Sequence, residues 1–166
     1  FQEERDCIFY NNLLYADVTP HFGKFGVIRL GEPVEDSVFA KLLTRPPVGK
    51  LFCRNREDVF FRNYSGSYYR LFFDKEPPFL KNGKQVRSSS ISTLGLTDPK
   101  MRPFVVGVYS STLFYWYHQK ISDAWHVSQR QISDFRLDVK SLKEEDIAQI
   151  SESTNRLMTD LWRNAK

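Results

Sequence analysis

Apolar positions change their spacing twice along the chain, and each change marks a different kind of element. The opening EERDCIFYNNLLY sets Cys7, Ile8, Tyr10, Leu14 and Tyr15 at loosely helical intervals, so a helix is expected within residues 1–20. Beyond Pro20, HFGKFGVIRLGEP is short and punctuated by glycine, which reads as a strand between turns. Asp36 or Ser37 can cap a helix through VFAKLL, and Arg45-Pro46-Pro47 ends it. From 58 to 96 the pattern is that of strands. DVFFRNY and YYRLFF are aromatic-rich and separated by Ser65-Gly66-Ser67, a hairpin turn in composition. FLKNGKQV carries Asn82-Gly83, the strongest short-range hairpin signal, and RSSSISTLGL alternates as a half-buried strand does.

Helical spacing returns after Pro103. FVVGVYSSTLFYWYHQK is almost wholly apolar or aromatic and reads as one long buried central helix, with a strand left open at Val105-Val106. Ser128 caps a short helix through QRQISDF. From about Lys143, Ile147, Ile150, Thr154, Leu157 and Leu161 recur at spacings of three and four, and Met158, Trp162 and Ala165 widen the stripe. Such a helix requires a partner surface. The expected fold is α+β: a mixed or antiparallel sheet with hairpins in the middle of the chain, a buried aromatic helix after it, and a C-terminal amphipathic helix. One domain is expected, with an entry helix at 1–20, a core at 21–138 and the last helix at 139–166.

Composition supports that reading. In 166 residues, 41% hydrophobic against 27% charged is enough for a core and excludes wholesale disorder. No apolar run reaches the roughly 18 residues of a membrane span, so no membrane partner is expected. Cys7 and Cys53 are too few for a disulfide framework and lack metal-ligand spacing, which makes a reducing cytoplasm the simplest compartment. The chain begins at Phe1, with methionine only at Met101 and Met158, and reads as part of a longer protein.

The net charge of +4 is unevenly spread. Residues 1–44 carry 4 basic and 7 acidic side chains, 45–102 carry 12 and 5, and 103–166 carry 8 of each. All the excess positive charge thus lies in the middle third, where it favours a polyanion. Arginines stand out there, and a guanidinium forks to phosphate or to a guanine edge.

Catalytic constellations are missing. His21, His118 and His126 are scattered, His118 reads as a core or boundary residue, and no Cys/His cluster suits zinc. No nucleophile elbow accompanies the Ser, His and Asp residues. Phe22-Gly23-Lys24-Phe25-Gly26 has no strand-loop-helix context for a cofactor loop. Glu76-Pro77-Pro78-Phe79 places a long acid where a methyltransferase loop needs Asn, Asp or Ser, and Asp138-Val139-Lys140 lacks the upstream half of a nuclease metal site. All three are expected to be structural.

In their order, FRNYSGSYYRLFFDKEPPF, RSSSISTLGL and STLFYWYHQKISDAWHVSQRQISDF resemble the C-terminal specificity region of adenine-specific DNA methyltransferases of type II restriction–modification systems, including fused restriction–methylation enzymes. That family has an aromatic strand with a Ser-Gly turn, a Phe-Pro-Pro-Phe-like stretch, a Ser-rich strand, a leucine-and-aromatic helix and a Ser-Asp-Gly-Arg-His-like loop. A short helix and an aromatic-Pro ending follow. This chain departs at Ala124-Trp125, where Gly-Arg is usual, and at Phe135-Arg136, where Phe-Pro is usual.

The resemblance implies a double-stranded DNA recognition module. Residues 1–20 would link it to an upstream catalytic domain that holds S-adenosylmethionine, and no cofactor is expected in these residues. DNA contacts are expected from Arg54 and Arg56, the turn of Arg62, Asn63, Ser65, Ser67 and Tyr68, and the hairpin tip of Lys81, Asn82 and Lys84. Arg87 with Ser88, Ser89 and Ser90, and Trp125 and His126 with Arg130, complete the set. Arg54, Arg56 and Arg87 are the favoured phosphate contacts, since Glu57 and Asp58 are their only obvious local partners. Each candidate also has a structural reading. Gly66 and Gly83 serve as turn glycines, Ser88–Ser90 as edge hydroxyls, and Asp123 with His126 as a loop anchor. Two other functions compete: a protein-interaction or self-association module using the last helix, and a single-stranded nucleic-acid binder using stacked aromatics.

Overall fold

The computed structural model describes Thr19, Gly26 and residues 28–64 and 72–164. The expected helix at 1–20 lies outside them. In the glycine-punctuated segment, Ile28 and Leu30 are buried on either side of exposed Arg29, but residues 28–32 join no strand. Arg29 N–H instead donates to the Lys120 carbonyl at 3.0 Å.

Helix α1 (Pro33–Leu43) starts three residues before the expected Asp36 cap. Glu32 sits at the N-cap in extended backbone, and Pro33 opens the helix, where its fixed φ fits and its missing N–H breaks no bond. A 3-10 turn (Val48–Leu51) then leads into β1 (Phe52–Cys53). Strands β2 (Val59–Arg62) and β3 (Phe72–Phe73) follow, then β4 (Leu80–Lys81), β5 (Lys84–Gln85) and β6 (Ile91–Leu96). Four of them make an antiparallel sheet in the order β1-β6-β2-β3, with Phe61 opposite Ser92 and Phe72. Along β2, Val59 and Phe61 are buried and Arg62 is exposed, the period of two expected of a half-buried strand. β4 and β5 form a separate hairpin whose tip, Asn82 at φ 53° and Gly83 at φ 73°, has both central residues left-handed, as a two-residue hairpin turn demands.

The Ser-rich stretch is only partly strand. Ser90 N–H donates to Ser88 Oγ at 3.3 Å, and Ile91 N–H to the Ser88 carbonyl at 3.1 Å, so 88–90 form a turn and β6 begins at Ile91. Serine hydroxyls offer the backbone partners that compete with a ladder.

The expected single central helix is two: α2 (Arg102–Tyr109) and α3 (Thr112–Ile121). Ser111 is extended, at φ −76° and ψ 155°, and its Oγ accepts from Phe114 N–H, an N-cap that starts a new helix. The break gathers rings that one straight helix would spread along its length. Tyr109 and Phe114 centroids are 4.7 Å apart, and Phe114 and Tyr117 lie 5.2 and 5.1 Å from Phe135. Fully buried aromatics of this kind supply about 2–3 kcal/mol each and form the core between the sheet and the helices.

Helix α4 (Gln129–Asp134) has the expected Ser128 cap, completed by Gln131 into a reciprocal capping box. Arg136, standing where proline is usual in the resembled family, donates to the Leu43 and Arg45 carbonyls and so closes the end of α1. Helix α5 (Glu144–Asn164) finds its partner surface within the chain, against α2. Gly107 makes that approach possible: a Cβ there would stand 2.2 Å from Thr154 Oγ1. Thr154 and Met158 are buried, but Leu157 is 54% exposed and lies outside the packed stripe. At ~100° per residue it falls on the stripe's edge, beyond the reach of α2. No helix among the described residues is long and apolar enough to cross a membrane.

Candidate nucleic-acid interface

Three segments distant in sequence meet at the end of β2. Asn63 N–H donates to the Ser90 carbonyl at 3.0 Å, and Val127 N–H donates to the Asn63 carbonyl at 2.9 Å. Tyr64 then bridges antiparallel to His126. Residues 63–64 therefore run between the serine turn and the loop after α3. Six expected contact residues converge here: Asn63, Ser88, Ser89, Ser90, Trp125 and His126, with Arg62 at the strand end. Ser65, Ser67 and Tyr68 lie outside the described residues.

The loop after α3 is tied down from both ends. Asp123 Oδ1 accepts from the backbone N–H of Trp125 and of His126 at 2.9 and 2.8 Å, and Oδ2 lies 2.6 Å from His126 Nδ1. The His126 ring, followed by those two N–H donors, holds the Asp123 carboxyl well below the ordinary range. Ala124 takes φ 62°, a left-handed conformation that disfavours any residue with a Cβ. Above the loop, Ser122 Oγ donates to the His118 carbonyl at 2.6 Å and lies 3.1 Å from His118 Nδ1. His118 is fully buried, stacked on Phe114, and its pKa is lowered by burial, so it is the core residue expected.

On the aromatic side of this cluster Trp125 was among the contacts expected from the sequence, and Tyr64 was not. Arg62 Cζ lies 5.7 Å from the Tyr64 ring centroid, and Tyr64 stacks on Trp125 at 6.4 Å with 21° between planes. The residues were visible in the sequence, but their stacking depends on a bridge between positions 62 residues apart. Asn63 Oδ1 is buried and finds no hydrogen-bond partner among the described residues, which leaves unused amide capacity in the same cluster.

Arg54 and Arg56 occupy another part of the surface. The chain from β1 to β2 crosses close over β6, where a Cβ on Gly95 would stand 2.8 Å from Arg56 Cβ and from the Cys53 carbonyl. A depression of about 510 Å³ there is lined by Arg54, Asn55, Arg56, Thr93, Gln129 and Ser133 among others. Gln129 was not anticipated, and its Nε2 donates to the Thr93 carbonyl at 3.1 Å. Nearby Arg130 lies 3.7 Å from Asp134, one turn along α4.

Two of the three favoured phosphate contacts are occupied by acids. Arg56 forks onto Asp58 at 2.9 and 3.0 Å, and Arg102 approaches the same carboxylate at 3.4 Å. Asp58, 5% exposed at its side chain, also accepts from Leu96 N–H at 2.9 Å. Its carboxyl is held well below the ordinary range, first by Arg56 and against the cost of burial. Arg87 donates to Glu57 at 2.7 Å and lies 3.3 Å from Glu76, an ion pair without a hydrogen bond. Local sequence showed Glu57 and Asp58 but not the fold that brings Glu57 and Glu76 to Arg87. The remaining acids of 45–102 are also engaged, Asp74 with Trp162 Nε1 and Asp98 with Lys100 N–H. The surplus cations are therefore left without acids: among the described residues no ion pair holds Arg54, Arg62, Lys81 or Lys84. Lys81, Asn82 and Lys84 stand exposed at the hairpin tip.

The three decoy motifs show no assembled site where they are described. Glu76 pairs with Arg87, Asp138 precedes a 3-10 turn (Val139–Ser141), and no group of three or more His, Cys, Asp or Glu side chains suited to a metal occurs among the described residues. Comparison with known proteins by family model, by curated sequence and by solved structure finds no match to the chain.

Proposed function

We propose that the chain recognises duplex DNA as the target-recognition part of an adenine-specific DNA methyltransferase of a type II restriction–modification system. Methyl transfer and S-adenosylmethionine then belong to a catalytic domain elsewhere in the same cytoplasmic protein. The observation that carries the reading is the convergence of Asn63, Ser88–Ser90 and His126 on one sheet end beside Arg62, because base readout needs short polar side chains held at fixed spacing next to a cation. The left-handed backbone at Ala124 adds support, since the resembled family's loop carries glycine at that point.

In this reading Arg54, Arg62, Lys81 and Lys84, four of the cations that no ion pair holds among the described residues, grip phosphates and set the register. The converged polar groups read base edges while the neighbouring domain extrudes the target adenine. Arg56 and Arg87 shape the surface rather than contact DNA, because a phosphate would have to displace a carboxylate from each. The test is fluorescence anisotropy of labelled duplex across a salt titration. Arg62→Gln with Lys81→Gln and Lys84→Gln should lower affinity on every sequence and reduce the log–log salt slope by about 2–3, near 0.9 per lost phosphate contact. Arg87→Gln should change the slope by much less. An unaltered slope in the triple variant rejects the reading.

A further inference from the structure

We propose that Trp125, stacked on Tyr64 beside Arg62, is a docking platform for an unstacked nucleobase. The inference rests on the nucleic-acid reading above and names a ligand for one part of that surface. Trp125 is 53% exposed, and a single exposed aromatic by itself means little. What distinguishes this one is how firmly it is presented. Its backbone N–H is held by Asp123 at 2.9 Å, and the residue before it is forced to φ 62°. Ala124 N–H donates at 2.9 Å to Ser122 Oγ, which is anchored on the buried His118. From the other side, His126 is bridged to Tyr64, so the two rings come from segments locked to one another.

The geometry also selects the ligand. Tyr64 and Trp125 lie within 21° of parallel, with a guanidinium over the Tyr64 ring, so the stack already consists of flat groups and extends by another flat group. Arg62 supplies a cation for the phosphate joined to such a group, and Asp123, two residues before Trp125, is occupied by His126. A base within a duplex is covered on both faces by its neighbours and cannot stack on an indole. The base bound here must be unpaired or displaced, as the partner left behind by base extrusion is.

The experiment compares two labelled duplexes, one fully paired and one with a single bulged adenine, against the 166-residue chain. The wild-type chain should prefer the bulged duplex. Trp125→Ala should weaken that complex about 10-fold, as the loss of one base–aromatic stack does, and weaken the paired duplex by less, so that the preference for the bulge disappears. Trp125→Phe should restore most of the difference, whereas Trp125→Leu, apolar but without a π face, should not. Paired-duplex binding with no bulge preference and no effect of Trp125→Ala overturns the platform while the duplex reading stands. A bulge preference abolished by Trp125→Ala, without binding to the paired duplex, supports the platform and overturns the duplex reading. Binding to neither overturns both.

Discussion

Replacing Gly107 by alanine tests the packing that places the last helix. The added Cβ would stand 2.2 Å from Thr154 Oγ1 and 2.9 Å from Ile150 Cγ2, where carbon contacts settle at about 3.5–4.0 Å. Thr154 has little freedom to retreat, because its hydroxyl donates to the Ile150 carbonyl at 2.8 Å and the residue is 4% exposed. Helices α2 and α5 must therefore separate, and overpacking of this kind costs about 1–3 kcal/mol. Against it stands the gain of about 1 kcal/mol from alanine over glycine inside a helix. The expected net loss for Gly107→Ala is about 0–2 kcal/mol, towards the upper end because the contact with Thr154 Oγ1 is so short. With Thr154→Ala already present the worst clash is gone and only the 2.9 Å contact with Ile150 Cγ2 opposes the helix preference, so the same substitution should cost about 1 kcal/mol less than in the wild-type chain. Urea unfolding of the four proteins, followed by circular dichroism with slopes compared, gives the cycle. Effects that add to within about 0.5 kcal/mol would show that the two side chains do not compete for the same space.

Two further outcomes follow from the site. Asp58→Asn should cost about 2–3 kcal/mol near neutral pH, since it replaces charge-assisted bonds to Arg56 and Arg102, both of which keep access to water. Because the Asp58 carboxyl is held below its ordinary range in the folded chain, its contribution is complete above pH 4 or so and fades as pH falls below that value. Acid unfolding of the variant should accordingly depend less steeply on pH in that window, and an identical acid limb would count against the pairing. Ala124→Gly should raise stability by up to about 1 kcal/mol, as relief of the left-handed strain outweighs the added freedom of the unfolded chain. A loss on thermal unfolding would contradict the strain assigned to that loop.

Much of the fold was legible because its signals are local. Asn82-Gly83 at a hairpin tip, Ser128 three residues before Gln131, and the spacing of Ile147, Ile150 and Thr154 each act within a few residues of chain. The same locality explains the errors. Hydrophobic spacing runs smoothly through 104–120, and the Ser111 hydroxyl turning onto Phe114 N–H divides the segment in two. At α1, Pro33 after Glu32 outranked the serine and aspartate caps by removing a donor that no helix start can use.

For the candidate site the division is sharper. Sequence alone determined that the middle third carries surplus cations and that polar and aromatic residues flank its turns. Only the tertiary structure decided which cations stay without acids. Arg87 meets Glu57 30 positions away in an ion pair, and Tyr64 meets His126 62 positions away through an isolated bridge. Charges a few ångström apart interact strongly whatever their separation along the chain, so the electrostatic identity of each arginine is a property of the folded surface and not of its neighbours in sequence.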